Sequence, residues 1–163
     1  MQFISRYESP IGTITMASDG EALIGVWFDN QKYDRATLGR DFKEDNSMPI
    51  FVETRRWLDI YFSGREPDFT PPLRLSGSPF RQMVGEIMLG IPYGTTTTYG
   101  EIAREVARRM GRPSMSAQAV GGAVGHNPIG IIVPCHRVMG SDGSITGYAG
   151  GVDRKQFLLQ LEL

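Results

Sequence analysis

The chain has 163 residues with one cysteine and two histidines, and the cysteine stands directly before a histidine in "IIVPCHRVMG", residues 131–140. A thiol beside an imidazole is a recurrent way to make a nucleophile. The imidazole takes the proton, the pKa falls from about 8.5, and thiolate is available near neutral pH. Neighbouring residues of a plain strand point to opposite faces, so His136 can act on Cys135 only where the chain bends. Pro134 predicts that bend, because it breaks any ladder begun by the apolar run "GIIV". A third group should orient the imidazole. Glu162, the last acid of the chain, is a candidate on a terminal helix. The second histidine, His126, lies in "GHNP" upstream of the cysteine. Taken alone, the Cys-His pair also admits a cysteine hydrolase with a distant histidine, a one-thiol redox sensor, or an inert packed thiol.

Composition narrows the setting. Apolar content of 40% and charged content of 21% are those of a globular protein, and the length suits one domain or two small ones. No apolar run approaches a membrane span, and "MQFISRYESPIG" lacks the basic and apolar regions of a signal peptide. One cysteine forms no internal disulfide and offers no Cys pair to a structural zinc. A reduced, cytoplasmic protein with no metal and no cofactor is expected. Residues 1–73 carry 8 Lys+Arg against 12 Asp+Glu, a balance of −4, and residues 74–163 carry 9 against 6, a balance of +3. A basic half can serve a polyanion, although a surplus of this size is also ordinary scatter.

The elements that must position the pair fall into two parts. "MQFISRYESPIGTITMASDGEALIGVWFDN" reads as strands, with "PIG" and "SDGEA" as turns. "SMPIFVETRRWLDIYFSG" reads as a helix with Phe51, Trp57, Ile60 and Tyr61 near one face and Gly64 as its stop. "REPDFTPPLRLSGS" is rich in turn residues and coincides with the charge shift, so the domain boundary is placed there, at 73/74. The second part is mainly helical. Ser78 caps a helix opened by Pro79, with Phe80, Val84, Ile87 and Met88 inward and Gly90 and Pro92 at its end. Thr98 and Glu101 have capping-box spacing at the head of a helix over 99–110, which Gly111 closes. A last helix starts at Asp153 and carries Phe157, Leu158 and Leu161 inward.

The helices over 99–110 and 115–125, joined by a short turn containing Gly, match a helix-turn-helix. The second is nearly bald: Ser116, Ala117, Gln118, Ala119, Gly121, Gly122 and Ala123. A major-groove reader carries long polar side chains. This one suits close approach to a minor groove, or equally tight packing against another helix.

"PCHRV", with "AVGGAVGHNP" upstream and "TGYAGG" downstream, closely resembles the signature of the O6-alkylguanine-DNA alkyltransferases, the methylated-DNA–protein-cysteine methyltransferases. The resemblance runs from about Ser78 to Glu162 and includes "IPYGTTTTYGEIA" at the start of the helix-turn-helix. The N-terminal part resembles the family's ribonuclease-H-like domain more loosely. The fold implied is α+β: an N-terminal ribonuclease-H-like α/β domain over 1–73 and a mainly helical DNA-binding and alkyl-acceptor domain over 74–163.

The resemblance implies a role for each matching residue. Cys135 would accept the alkyl group, His136 would act as base through a water, and Glu162 would orient His136. Asn127 would tie the DNA-binding motif to the active-site loop, and Tyr99 would donate a proton to guanine N3. Tyr148, Ala149 and Gly150 would line the pocket over a flipped base, and Val138 with the Cys135 backbone would hold the purine edge. Ser116, Ala117, Gln118, Ala119 and Gly121 would meet DNA. Arg137 is read as structural, pairing with an acid or a carbonyl. A monomer that acts on double-stranded DNA through the minor groove and is consumed by one transfer would follow. The thiol pKa is expected below its free value.

The chain departs from the family pattern in places. Gln118 stands where many members carry an arginine that enters the base stack. The N-terminal part has no Cys or His for the zinc some members bind. Ala149 replaces a hydroxyl residue, and Gly85 stands where relatives often carry something bulky. The rival reading is a non-catalytic binder of alkylated DNA or a helix-turn-helix regulator. Its lesion-recognising members lack the acceptor cysteine, which is present here.

Overall fold

The computed structural model describes residues 1–145 and 147–163. Thr146, the first residue of "TGYAGG", lies outside the described residues. The chain divides into two compact units. One holds Met1–Leu75 with Pro128–Gly130 and Glu162, and the other holds Ser76–Asn127, Ile131–Leu161 and Leu163.

The first unit is built on a sheet in the order β3-β2-β1-β4, with β1 Gln2–Ser9, β2 Gly12–Ser18, β3 Leu23–Phe28 and β4 Phe42–Glu44. The β1–β2 and β2–β3 pairs are antiparallel, and β4 runs parallel to β1. The first three strands follow the sequence pattern. β4 has three exposed residues and no alternation to reveal it. Directly opposed residues of an antiparallel pair share a face. Ile4, Ala17 and Trp27 thus lie on one face, where with Ile24 they form a buried cluster closed by Leu38. The Trp27 ring lies over Gly25, and any Cβ there would fall inside the indole.

Helix α1, Pro49–Phe62, covers the other face. Tyr7, paired with Ile14, donates its hydroxyl to Asp59 of α1 at 2.7 Å and stacks on Phe62. The buried positions of α1 are Ile50, Phe51, Thr54, Trp57, Leu58 and Tyr61. Ile60 is only half-buried, so the stripe runs one residue to the side of the expected one. Both Leu23 and Val26 on the β3 edge are paired by other segments of this unit. Leu23 N–H donates to Pro72 O at 2.8 Å, and Val26 N–H donates to Pro128 O at 2.9 Å. Those pairings cover an edge that would otherwise be open.

The second unit is mainly helical. Helix α2, Pro79–Leu89, begins as expected, with the Ser78 hydroxyl accepting from Arg81 N–H. Val84, Gly85 and Met88 are its buried residues, while Phe80 and Ile87 are half-buried. Helix α3, Tyr99–Met110, is capped by the Thr98 hydroxyl accepting from Glu101 N–H, and Gly111 ends it at φ 66°. Helix α4, Ala117–Gly125, starts two residues later than the sequence suggests because Ser116 is its cap, accepting from Ala119 N–H. A two-residue parallel pair ties β5, Thr97–Thr98, to β6, Val138–Met139. Helix α5, Val152–Leu161, buries Lys155 and Leu158. Asp153 sits inside its first turn rather than at its cap, and Phe157 is 36% exposed rather than inward. A lysine therefore holds the inward place that the apolar pattern gave to phenylalanine.

Candidate active site

The loop from Ile131 to Val138 is buried throughout. It opens with Ile131 at φ 68°, a conformation that costs a β-branched residue on the order of 1–3 kcal/mol. Pro134, at φ −83° and ψ 66°, is the centre of an inverse γ-turn closed by Cys135 N–H donating to Val133 O at 2.8 Å. Cys135–Arg137 then make one turn of 3-10 helix, and Val138 N–H returns to Cys135 O. The proline does bend the chain at the cysteine. It also removes Cys135 and His136 from the alternation that a strand would impose.

Around the thiol the second unit places three further groups. The Asn127 side chain hydrogen-bonds the sulfur and donates from Nδ2 to Val133 O at 2.9 Å. Lys155, 1% exposed, donates from Nζ to Val138 O at 2.5 Å, and its charge acts on Cys135. Tyr148 is half-buried and feels the Cys135 charge. Tyr99 heads α3, with its ring edge 3.9 Å from where a Cβ on Gly121 of α4 would lie. A Cβ on Gly147 would lie 3.1 Å from the Tyr99 hydroxyl, and Gly147 has φ 69°. Both observations ask for glycine at 147.

Burial governs the titrations here. It pushes the Cys135 thiol up, and this outweighs the Asn127 hydrogen bond and the Lys155 charge, both of which favour thiolate. The expectation of a lowered thiol pKa is corrected: burial of the sulfur outweighs the neighbours that favour its anion. Burial likewise lowers the Lys155 ammonium, against the opposing pull of Cys135. Burial raises the Tyr148 phenol well above its ordinary range.

His136 is fully buried. Arg137 donates from Nη1 to Ile91 O at 2.8 Å and lies over the Tyr93 ring, the carbonyl-pairing role expected of it. Glu162 is buried and accepts from the Tyr61 hydroxyl at 2.6 Å within the first unit. Ala149 and Gly150 are half-buried, and Gly150 O accepts from Arg154 Nη1 at 3.3 Å. On α4, Ser116, Ala117, Gln118 and Ala119 are exposed and Gly121 is half-buried. Lys155 is the residue that sequence reasoning misses. Its signal is present: it lies one helical turn before buried Leu158, on the apolar face of "VDRKQFLL".

Residues 79–163 match the DNA-binding domain of 6-O-methylguanine DNA methyltransferase, and residues 3–75 match that protein's ribonuclease-like domain. The chain belongs to the 6-O-methylguanine DNA methyltransferase family. A methylated-DNA–protein-cysteine methyltransferase from Haemophilus influenzae is 40% identical, over 98% of this chain and 86% of the relative. One from Methanosarcina acetivorans is 44% identical over 98% and 97%. The crystal structure of Mycobacterium tuberculosis OGT in complex with DNA superposes with a TM-score of 0.85 at 41% identity, covering 98% of this chain and 92% of that one. This 6-O-methylguanine DNA methyltransferase family member is therefore a DNA-repair methyltransferase of mixed α+β fold. No helix among its described residues is long and apolar enough to cross a membrane.

Proposed function

We propose that this chain repairs duplex DNA by moving one alkyl group from guanine O6 to Cys135. The observation that carries this reading is the placement of the chain's one thiol. Cys135 sits on a one-turn helix beyond a proline turn, hydrogen-bonded by Asn127, with the Lys155 charge acting on it and Tyr148 within reach of its own charge. A base inside a duplex hides its O6, so the nucleotide is turned out of the stack into a pocket formed by Val138, Tyr148, Ala149 and Gly150. The sulfur attacks the alkyl carbon as the carbon–O6 bond breaks. The thiol proton passes to His136 through a water, and Glu162 orients the imidazole. Tyr99 gives a proton to guanine N3, so the base leaves neutral rather than as an anion. A thioether has no leaving chemistry, and each chain reacts once.

Asn127 holds the sulfur and the Val133 carbonyl together, and so ties the end of α4 to the acceptor loop. Ser116, Ala117, Gln118, Ala119 and Gly121 form the minor-groove surface, where exposed small residues permit close approach. The protein works as a monomer with its functions divided near 73/74, the DNA and acceptor residues all lying beyond that point, and of these Glu162 groups with the first unit. A free nucleophilic thiol fits the reducing cytoplasm.

Intact-mass measurement after mixing with a duplex containing O6-methylguanine tests the reading. One methyl adduct per chain on Cys135 is expected. Unchanged mass with retained DNA binding would make the chain a non-catalytic recogniser, and turnover without an adduct would make it a hydrolase.

A further inference from the structure

The second unit carries a cationic feature that the repair chemistry leaves unused. Arg104, Arg108, Arg109 and Arg112 fall within nine consecutive residues and supply four of the nine cations of residues 74–163. Arg104 and Arg108 stand one turn apart on α3. The left-handed Gly111 then turns the chain back, with Arg112 N–H donating to Ala107 O at 2.9 Å, which places Arg112 beside them. These three line a groove of about 460 Å³ against the turn that leads to Ala117 of α4. Its floor includes Gly100, Ala103 and Ala107, and no carboxylate lines it.

The charges are arranged rather than cancelled. Glu105 lies outside the groove and takes Arg108 from Nε at 2.9 Å and from Nη2 at 2.5 Å, and takes Arg109 from Nε at 3.0 Å. Those hydrogen bonds hold the Glu105 carboxyl down at about 2, so Arg108 stays anchored at neutral pH. A guanidinium has five N–H donors, and the Glu105 contacts use two of Arg108's. Arg104 and Arg112 are exposed and make no ion pair among the described residues. Guanidinium forks over a floor of small side chains match phosphodiester oxygens, which they bind in pairs.

We propose that this groove seats backbone phosphates of the duplex, so that the first helix and turn of the motif clamp the strand while α4 meets the minor groove. The proposal rests on the DNA-repair reading above. The first helix of a helix-turn-helix is the one that crosses the backbone, which favours DNA over an acidic polypeptide as the occupant. It also gives a use to the +3 balance of residues 74–163, and it supplies phosphate attraction that neutral Gln118 does not.

The test is affinity for an unmodified duplex against salt concentration, using the full chain. Each phosphate contact adds about 0.9 to the slope of log affinity on log salt. Arg104→Gln with Arg112→Gln is expected to lower the slope by about 1 to 2 units and to weaken binding at least tenfold in moderate salt. Arg104→Lys with Arg112→Lys is expected to regain most of the slope, because the charge returns even where the fork does not. Arg65→Ala, which removes a cation from the first unit, leaves the slope unchanged. Thermal melting of each variant identifies any loss that is only unfolding, and the lysine pair carries the test if the glutamine pair unfolds. A slope equal to that of the parent in the glutamine pair, or an equal fall in Arg65→Ala, would overturn the groove and turn attention to an acidic polypeptide. If the parent itself neither binds DNA nor takes up methyl, the repair reading fails. If it does both and the slope does not move, only the groove fails.

Discussion

Strands β2 and β3 and the loop Ile131–Val138 are comparably buried, yet they bury different things. Residues Ile14–Ser18 and Leu23–Phe28 are buried without a break, their backbone groups are paired in a ladder, and most of their side chains are apolar. The loop is also buried along its whole length, but it encloses a thiol, an imidazole and a guanidinium. Its backbone is satisfied by a γ-turn, a 3-10 turn and the side chains of Asn127 and Lys155. Burying polar groups costs unless each has a partner. The sheet's burial therefore supplies stability, whereas the loop's burial consumes some of it to hold a reactive group in a fixed place. Two strained or fixed backbone positions, Ile131 and Pro134, mark the same distinction.

The sharpest way to break this comparison is to change one sulfur to oxygen. Cys135→Ser is expected to abolish methyl uptake altogether while leaving duplex affinity and melting temperature close to the parent. Adduct formation by mass and binding by titration check the two halves. In contrast, Leu58→Ala in α1, where Leu58 is fully buried, is expected to cost about 2–5 kcal/mol of stability. The folded fraction should still react at the parental rate. Denaturant melts and single-turnover kinetics on the same samples separate stability from chemistry. If Leu58→Ala slowed transfer as much as it lowered stability, the division of labour between sheet and loop would be wrong.

A subtler division lies within the loop. Burial holds the Cys135 thiol up while Asn127 and Lys155 pull it down. Asn127→Ala removes one of these and also leaves the Val133 carbonyl without its donor from that side chain, at a cost of about 1–3 kcal/mol. Thiol alkylation by a small reagent, followed against pH without DNA, should show a midpoint above the free value of about 8.5 in the parent and higher still in Asn127→Ala. The sign follows from the anion: a raised pKa means less thiolate at any pH below the midpoint, so the variant reacts more slowly at neutral pH and catches up only in base. A midpoint below the free value in the parent would show that His136 activates the thiol before DNA arrives.

How far each region could be read from the sequence follows from the same contrast. Strands β1 to β3 announce themselves as β-rich runs set off by the turns "PIG" and "SDGEA", and helix α3 does so because a buried face imposes a period and because Thr98, Glu101 and Gly111 are residues that helix ends require. β4 does not, because an exposed three-residue edge strand has no face to pattern. The loop Ile131–Val138 is legible only as chemistry. "PCHRV" names its reactive group, but nothing local tells that Cys135 is so deeply buried that desolvation outweighs its neighbours. Lys155 escapes notice for a related reason. A lysine among apolar residues is ordinarily assigned to solvent, and its partner, the Val138 carbonyl, lies 17 residues away. The end of α5 misleads in the same way: Phe157 looks inward by type, yet the inward place belongs to Lys155.

The smallest effect expected concerns Gln118, exposed on α4. Turning a nucleotide out of the duplex leaves a gap in the stack, and the base returns unless something fills it. An arginine fills the gap with a long side chain whose charge also attracts phosphate. Glutamine is shorter and neutral, so more of the unstacking cost, a few kcal/mol per step, stays uncompensated. Gln118→Arg should therefore tighten duplex binding and steepen its salt dependence by no more than about one unit of slope, since at most one further phosphate charge is met. Gln118→Ala should slow repair of duplex DNA far more than reaction with free O6-benzylguanine, which needs no flipping. The ratio of the two rates is the informative quantity, because a general loss of folded protein lowers both alike. Equal slowing on both substrates would mean that Gln118 supports the fold or the pocket, and the gap-filling role assigned to it would be wrong.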